Sequence, residues 1–167
     1  MKKYIIIAAL AVGLLACTST VEDKHAENIE LVKSYVTAVE NLDFESMGNY
    51  LDEDYLGMGP SYGDSINKIE AVENWQWCVA NLYEKIHYNR SRYAAVTIPD
   101  GENKGEWVAN WAELDIVFKD HIGSVTIWAN TDYLIEDGQI KRSITFYNEA
   151  DVLRQLSYQF VESIENK

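Results

Sequence analysis

The chain has 167 residues, 47% of them hydrophobic and 25% charged, with five Trp, eleven Tyr and four Phe. That suits one globular domain plus a tail and sits far from the composition of disordered chains. A formal net charge of -13 argues against a nucleic-acid partner, because such binding draws on Lys and Arg to neutralise phosphates.

Met1-Lys2-Lys3 is a short cationic start, followed from Ile5 to Leu15 by an unbroken apolar run. A run of about eleven residues is the length of a signal peptide and falls short of the roughly twenty that span a bilayer. Leu14-Leu15-Ala16-Cys17 resembles the lipobox of bacterial lipoproteins. The resemblance implies cleavage before Cys17 and acylation of that cysteine, which would hold the chain at a membrane of the bacterial cell envelope, on the periplasmic or surface side. Cleavage removes Lys2 and Lys3 and takes the charge from -13 to -15. An ordinary secretory signal with a chance cysteine, or an uncleaved anchor, remains open on the same residues. On this reading residues 1–16 are a signal peptide, 17–26 a lipidated cysteine and tether, and 27–167 one domain. With Cys17 lipidated, Cys78 has no partner for an internal disulfide and reads as a small buried hydrophobe.

Beyond the tether, Ile29, Val32, Tyr35, Val36 and Val39 recur at three- and four-residue spacing, one face of a first helix. Asp43 caps a second with Phe44, Met47, Tyr50 and Leu51 inward, residues 54–58 are extended, and Ser65 caps a third with Ile69, Val72, Trp75, Val79 and Leu82 on its buried side. Residues 86–98, 105–119, 124–136 and 139–148 follow a period of two and read as strands. Asn148 caps a last helix carrying Leu153, Leu156, Phe160 and Ile164. Helices, then sheet, then a short helix predict an α+β fold: a curved antiparallel sheet wrapped around three N-terminal helices, cone-shaped, with a short C-terminal helix.

Asp137-Gly138 is a two-residue hairpin signal and fixes a register. Ile135 then lies opposite Ile140, and alternation places Ile127, Ala129, Thr131, Tyr133, Ile144 and Phe146 with them on the face toward the helices. Trp128, Asn130, Asp132, Leu134, Lys141, Ser143, Thr145 and Tyr147 fall on the other face. Trp128 and Tyr147 are expected as neighbours there, a candidate homodimer surface. Arg142 falls on the buried face and needs either a carboxylate partner or a bulge that turns it out.

Tyr35-Val36-Thr37-Ala38-Val39-Glu40, Asp43 to Met47 and Tyr50 to Tyr55, with the ending Glu136 to Ile140, Phe146-Tyr147-Asn148 and Ala150 to Leu156, resemble SnoaL-like domains of the nuclear transport factor 2-like superfamily. The resemblance spans about residues 27 to 157 and implies a curved sheet, three helices and a deep apolar cavity. It covers isomerases, polyketide cyclases, dehydratases and binding domains, so the fold alone gives no function. Of the three residues of the ketosteroid isomerase pattern, only the cavity tyrosine is matched, by Tyr35. The general-base position falls on Gly59 before Pro60, and the second acid aligns at Thr131. Glycine takes no proton and threonine replaces an acid poorly. Isomerase chemistry is disfavoured unless a bulge re-aims Asp132.

The candidate ligand-binding residues are Tyr35, Tyr55, Tyr62, Trp75, Trp111, Thr131, Tyr133 and Phe146, aromatic walls with a few polar tips as small-molecule pockets require. Filling of the core by the same side chains is the alternative. Glu113 and Asp115 read as solvated strand charges. His25, His87 and His121 lack ligand spacing, so no metal is expected, and no cofactor is called for. The leading function is binding of a small apolar or aromatic molecule by a membrane-tethered domain. A cofactor-free cyclase, isomerase or dehydratase and a dimerising interaction module are the alternatives.

Overall fold

The computed structural model describes residues 20–159. The apolar run, Cys17 and the expected positions of Phe160 and Ile164 lie outside these. Helix α1 spans Val21–Glu40 and is capped by Thr20. The Thr20 hydroxyl accepts from the Asp23 amide while the Asp23 carboxylate accepts from the Thr20 amide, a reciprocal capping box. This closes a polar first turn that shows no apolar period, so the expected tether is helical from residue 21 onward. Val32, Tyr35, Val36 and Val39 are buried, the predicted face. Helix α2, Phe44–Tyr50, is capped by Asp43, as read from the sequence.

The next two elements depart from expectation. Strand β1 is Leu51–Met58, and residues 65–67, Ser65–Asn67, form a short edge strand β2 pairing with it. The cap of helix α3, Lys68–Asn81, is therefore Asn67 rather than Ser65, in a capping box with Glu70. Ile69 is 70% exposed, and the inward face passes through Ala71 and Cys78 with Trp75 and Leu82 half-buried. Small residues let the helix come close: at Gly48 on α2, even a Cβ would crowd the Val72 side chain at 2.9 Å. Strands β4 (Gly105–Phe118), β5 (Gly123–Glu136) and β6 (Gln139–Tyr147) match the predicted positions, β3 (Tyr83–Ile98) begins earlier than predicted, and helix α4 is Glu149–Gln155, capped by Asn148.

The six strands form one curved, unclosed sheet in the order β2-β1-β6-β5-β4-β3. It is mixed rather than antiparallel throughout, because β1 runs parallel to β6. The helices fill its concave side. Val32, Val36 and Val39 pack with Met47, Leu51, Val108, Ile135 and Ile140 in one core, and Leu114, Phe118, Val125 and Ile127 form a second.

The hairpin starts in the predicted register, with Ile135 opposite Ile140, and then breaks it: the next pair is Leu134 with Arg142. Lys141 is a bulge. Its ammonium donates to the Asp52 carboxylate at 2.8 Å and to that of Asp54 at 3.2 Å, on a stretch of β1 where the β1–β6 register also shifts. One extra residue exchanges the faces of everything after it. Tyr133 pairs with Ser143, Thr131 with Thr145 and Ala129 with Tyr147 on the concave side, while Asp132 pairs with Ile144 and Asn130 with Phe146 on the outer side. Ile144 and Phe146 are thus outside and Ser143, Thr145 and Tyr147 inside, the reverse of the alternation argument. Arg142 is turned outward by the bulge. Asp132 stays on the outer face.

Candidate functional site

The concave side encloses a cavity of about 270 Å³, just under the usual size of small-molecule pockets. Helix α1 contributes Tyr35 and Val39 to its wall, β1 contributes Tyr55 and α3 contributes Trp75. The inward positions of the sheet supply Tyr83, Tyr88, Asn110, Ala112, Thr131, Tyr133, Ser143, Thr145 and Tyr147. Of the eight residues expected to bind a ligand, five line this space: Tyr35, Tyr55, Trp75, Thr131 and Tyr133.

Three do not. Tyr62 is fully exposed on the loop before β2, and Trp111 and Phe146 are 45% and 52% exposed on the outer sheet face. Phe146 was carried out by the Lys141 bulge. Trp111 pairs with Asn130 and Arg92, one position out of phase with the inward Asn110 and Ala112. The same bulge brought in Ser143, Thr145 and Tyr147, which alternation had sent outside. Tyr83 and Tyr88 were missed because β3 starts three residues earlier than its pattern suggested and carries a register shift between Asn89 and Arg92.

Tyrosine dominates the lining. Tyr35 stands edge-on to Tyr133 at 5.8 Å and to Tyr50 at 6.2 Å, a favourable aromatic geometry. The Tyr55 and Ser143 hydroxyls are 2.6 Å apart, and those of Thr131 and Thr145 are 3.2 Å apart. Tyr35, Tyr83, Tyr88 and Tyr147 make no side-chain hydrogen bond among the described residues, so their hydroxyls stay available to an occupant. Burial pushes the Tyr35 and Tyr133 phenols well above 10.0 and that of Tyr83 up to about 12, with neighbouring phenols adding to the shift. Tyr88 is raised for the same reason. Near neutral pH these groups are protonated, able to donate hydrogen bonds but not to act as bases.

Charge is nearly absent from the wall. Among the described residues the lining holds one carboxylate, that of Asp64, and no histidine. Asp64 is exposed, on the loop where its carbonyl accepts from the Gly59 amide at 3.2 Å. Gly59 itself lines the cavity with φ +90°, and a Cβ there would collide with the Thr145 carbonyl oxygen. No side chain, acidic or otherwise, fits at that position without moving β6.

The remaining reactive groups lie elsewhere. Cys78 is buried, and desolvation raises its thiol, which keeps it protonated and poorly nucleophilic. His87 Nδ1 is 2.7 Å from the Glu40 carboxylate on the protein's flank. His25 Nε2 sits 3.0 Å from the Thr97 hydroxyl and 3.3 Å from the Glu106 carboxylate, near the start of α1. Asp115 is occupied by Thr126 and Asn89. Among the described residues no group of three His, Cys, Asp or Glu side chains could hold a metal ion. No described helix is long and apolar enough to cross a membrane.

No protein-family model and no curated protein matches the chain. Solved structures match it in three dimensions. A protein described as a SnoaL-like polyketide cyclase from Shewanella denitrificans OS-217 is 13% identical, with a TM-score of 0.62 over 80% of this chain and 98% of that one. An LEH-like epoxide hydrolase of M. tuberculosis is 15% identical, with a TM-score of 0.58 over 80% of this chain and 92% of that one. A protein with a ketosteroid isomerase-like fold from Catenulispora acidiphila, in complex with trimethylamine, is 15% identical, with a TM-score of 0.63 over 80% of this chain and 98% of that one. At such identities the likeness establishes the fold, the α+β cone of nuclear transport factor 2-like and SnoaL-like proteins.

Proposed function

We propose that this chain binds a small, uncharged apolar or aromatic molecule in the cone, while Cys17 tethers it to a membrane of the cell envelope. The observation that carries the binding reading is the wall itself. Apolar surface and protonated phenols surround the space, and the single carboxylate that the described residues place in its wall belongs to an exposed loop residue. Apolar area provides the affinity, and phenol hydroxyls without protein partners orient an acceptor oxygen or nitrogen of the occupant. An ionised ligand would meet no opposite charge in the interior and would lose its hydration without compensation.

Titration with the neutral fluorescent probe N-phenyl-1-naphthylamine tests this. Saturable binding is expected, together with its loss in Ala129→Phe, which places a ring in the hollow beside Tyr147. Absence of saturable binding to the folded protein would refute the reading. The tether has its own test: palmitate labelling is expected for the wild type and not for Cys17→Ala, and equal labelling removes the anchor.

A cofactor-free enzyme is the second reading. The cyclase and hydrolase among the structural neighbours favour it, and Asp64 is the group on which it would depend. Asp64→Asn is expected to bind the probe as tightly as the wild type, since the carboxylate lies at the edge of the uncharged volume. Strong loss of probe binding in that variant would place Asp64 inside the site and favour acid–base chemistry.

A further inference from the structure

We propose that a groove outside the cone, between the start of α1 and the β5–β6 turn, binds a basic peptide segment. Carboxylates on its rim hold the peptide's cationic side chain, and Asn28 holds a main-chain carbonyl. Lys24, Glu27, Asn28 and Leu31 recur at three- and four-residue spacing on α1 and so share one helix face. That face lines the groove opposite Gly105 and Glu106, where β4 begins, and opposite residues 135–138 of the hairpin. The groove has a volume of about 500 Å³ and shares no lining residue with the cone.

Asn28 is the residue that points to a ligand. It is 8% exposed, and its Nδ2 is buried without an acceptor among the described residues. A buried N–H donor left unmet is costly. Because Asn28 lines the groove, an occupant can supply the acceptor oxygen. The rim sets the charge of that occupant. The carboxylates of Glu27, Glu106, Glu136 and Asp137 outnumber the single ammonium, that of Lys24. The Glu106 carboxylate already accepts from the Thr97 hydroxyl at 2.8 Å and lies 3.3 Å from His25 Nε2. Glu27, Glu136 and Asp137 are exposed and have no ion-pair partner among the described residues.

These features narrow the choice of cation. No group of three His, Cys, Asp or Glu among the described residues could hold a metal ion, so the carboxylates do not converge on a point charge. A polyamine would satisfy them but would offer Asn28 nothing, since a protonated amine only donates. A lysine-bearing peptide meets each requirement. Its ammonium reaches the carboxylates, and its methylene stem lies along Leu31 and Ile135, the apolar part of the lining. Its carbonyl accepts from the Asn28 amide. Gly138 puts no side chain in the way and has open space around it, which leaves room for a main chain to pass.

Nuclear magnetic resonance of the full chain in a non-ionic detergent, titrated with the blocked peptide acetyl-Gly-Lys-Gly-amide, tests this. Saturable shifts of the Asn28 side-chain amide are expected, with affinity falling as salt is added, because the rim carboxylates are exposed. Glu136→Lys is expected to weaken binding about tenfold or more. Glu136 is exposed, so this variant is expected to keep the wild-type circular dichroism spectrum and its binding of N-phenyl-1-naphthylamine in the cone. Asn28→Leu removes the donor and is expected to weaken the peptide as well. If that buried change costs the fold, Glu136→Lys decides. Absence of saturable shifts overturns the proposal, as does affinity indifferent to Glu136→Lys. So does equal affinity for spermidine, which would make the groove an unspecific acidic patch, or for acetyl-Gly-norleucine-Gly-amide, which would leave the carboxylates without a role.

Discussion

Lys141 is the residue on which the site's composition turns, and its ion pairs give it a measurable signature. Its ammonium, with the Asp54 amide, holds the Asp52 carboxyl below its ordinary 3.8. A carboxyl depressed in the folded state contributes stability that is present above the unfolded value and is lost as pH falls through the lower folded one. The unfolding midpoint of the wild type should therefore drop below pH 3.8, and in Lys141→Met that acid-side slope should be shallower when followed by thermal melts across the acid range. The buried phenols act at the other end. Burial raises Tyr35, Tyr83 and Tyr133 above 10.0, so their contribution is complete below that value and disappears as pH rises through the folded values. Phenolate absorbance should show Tyr35, Tyr83 and Tyr133 ionising only above 10.0, together with unfolding. Ionisation of Tyr35, Tyr83 and Tyr133 near 10 in the folded protein would contradict their burial in the cavity wall. Tyr35 was legible in the sequence because helical spacing alone puts it on the inward face. Tyr147 was not, because its side depends on the bulge at Lys141, which pairs with Asp52 and Asp54 far earlier in the chain.

Elements were legible wherever the signal is local. The Asp43 and Asn148 caps and the Asp137-Gly138 turn are satisfied within a few residues of themselves, and the structure keeps each. The misreadings share a different cause. Ser65 looks like a helix cap in isolation, but the edge of β1 recruits residues 65–67 as a strand and shifts the cap to Asn67. Residues 21–26 have no apolar stripe and are nonetheless helical, since the Thr20–Asp23 box supplies the closure that packing does not. The Asn67 cap and the Gly59 loop can each be checked by substitution. Asn67→Ala should lower stability by about 1 kcal/mol in denaturant unfolding, with the slope unchanged, because one helical N–H loses its acceptor and no buried surface changes. Gly59→Ala should cost more, on the order of 2 kcal/mol, since it forces a side chain into positive φ and against backbone. If it is neutral, the loop does not hold the close approach to β6 described above.

At the scale of the molecule, the order of helices and strands was enough to read a cone from the sequence, because segregated helices and a four-strand meander leave few ways to bury their apolar faces. That the sheet gains a parallel pairing of β1 with β6 was not legible, and the residues themselves left open whether the hollow that the resemblance implied survives or fills. Both depend on how far the sheet curls, and curvature is set by bulges at Lys141 and between Asn89 and Arg92. The outcome is a molecule with two unlike faces, a tyrosine-lined interior and an aromatic, arginine-bearing exterior. The claim on which the functional account depends is that a neutral guest occupies the interior. Nuclear magnetic resonance of the protein with ring-labelled tyrosine, titrated with N-phenyl-1-naphthylamine, addresses it most directly. Saturable shifts are predicted for Tyr35, Tyr88, Tyr133 and Tyr147, while the exposed Tyr62 and Tyr158 stay in place. Shifts confined to exposed tyrosines, or none at all in a folded sample, would contradict it.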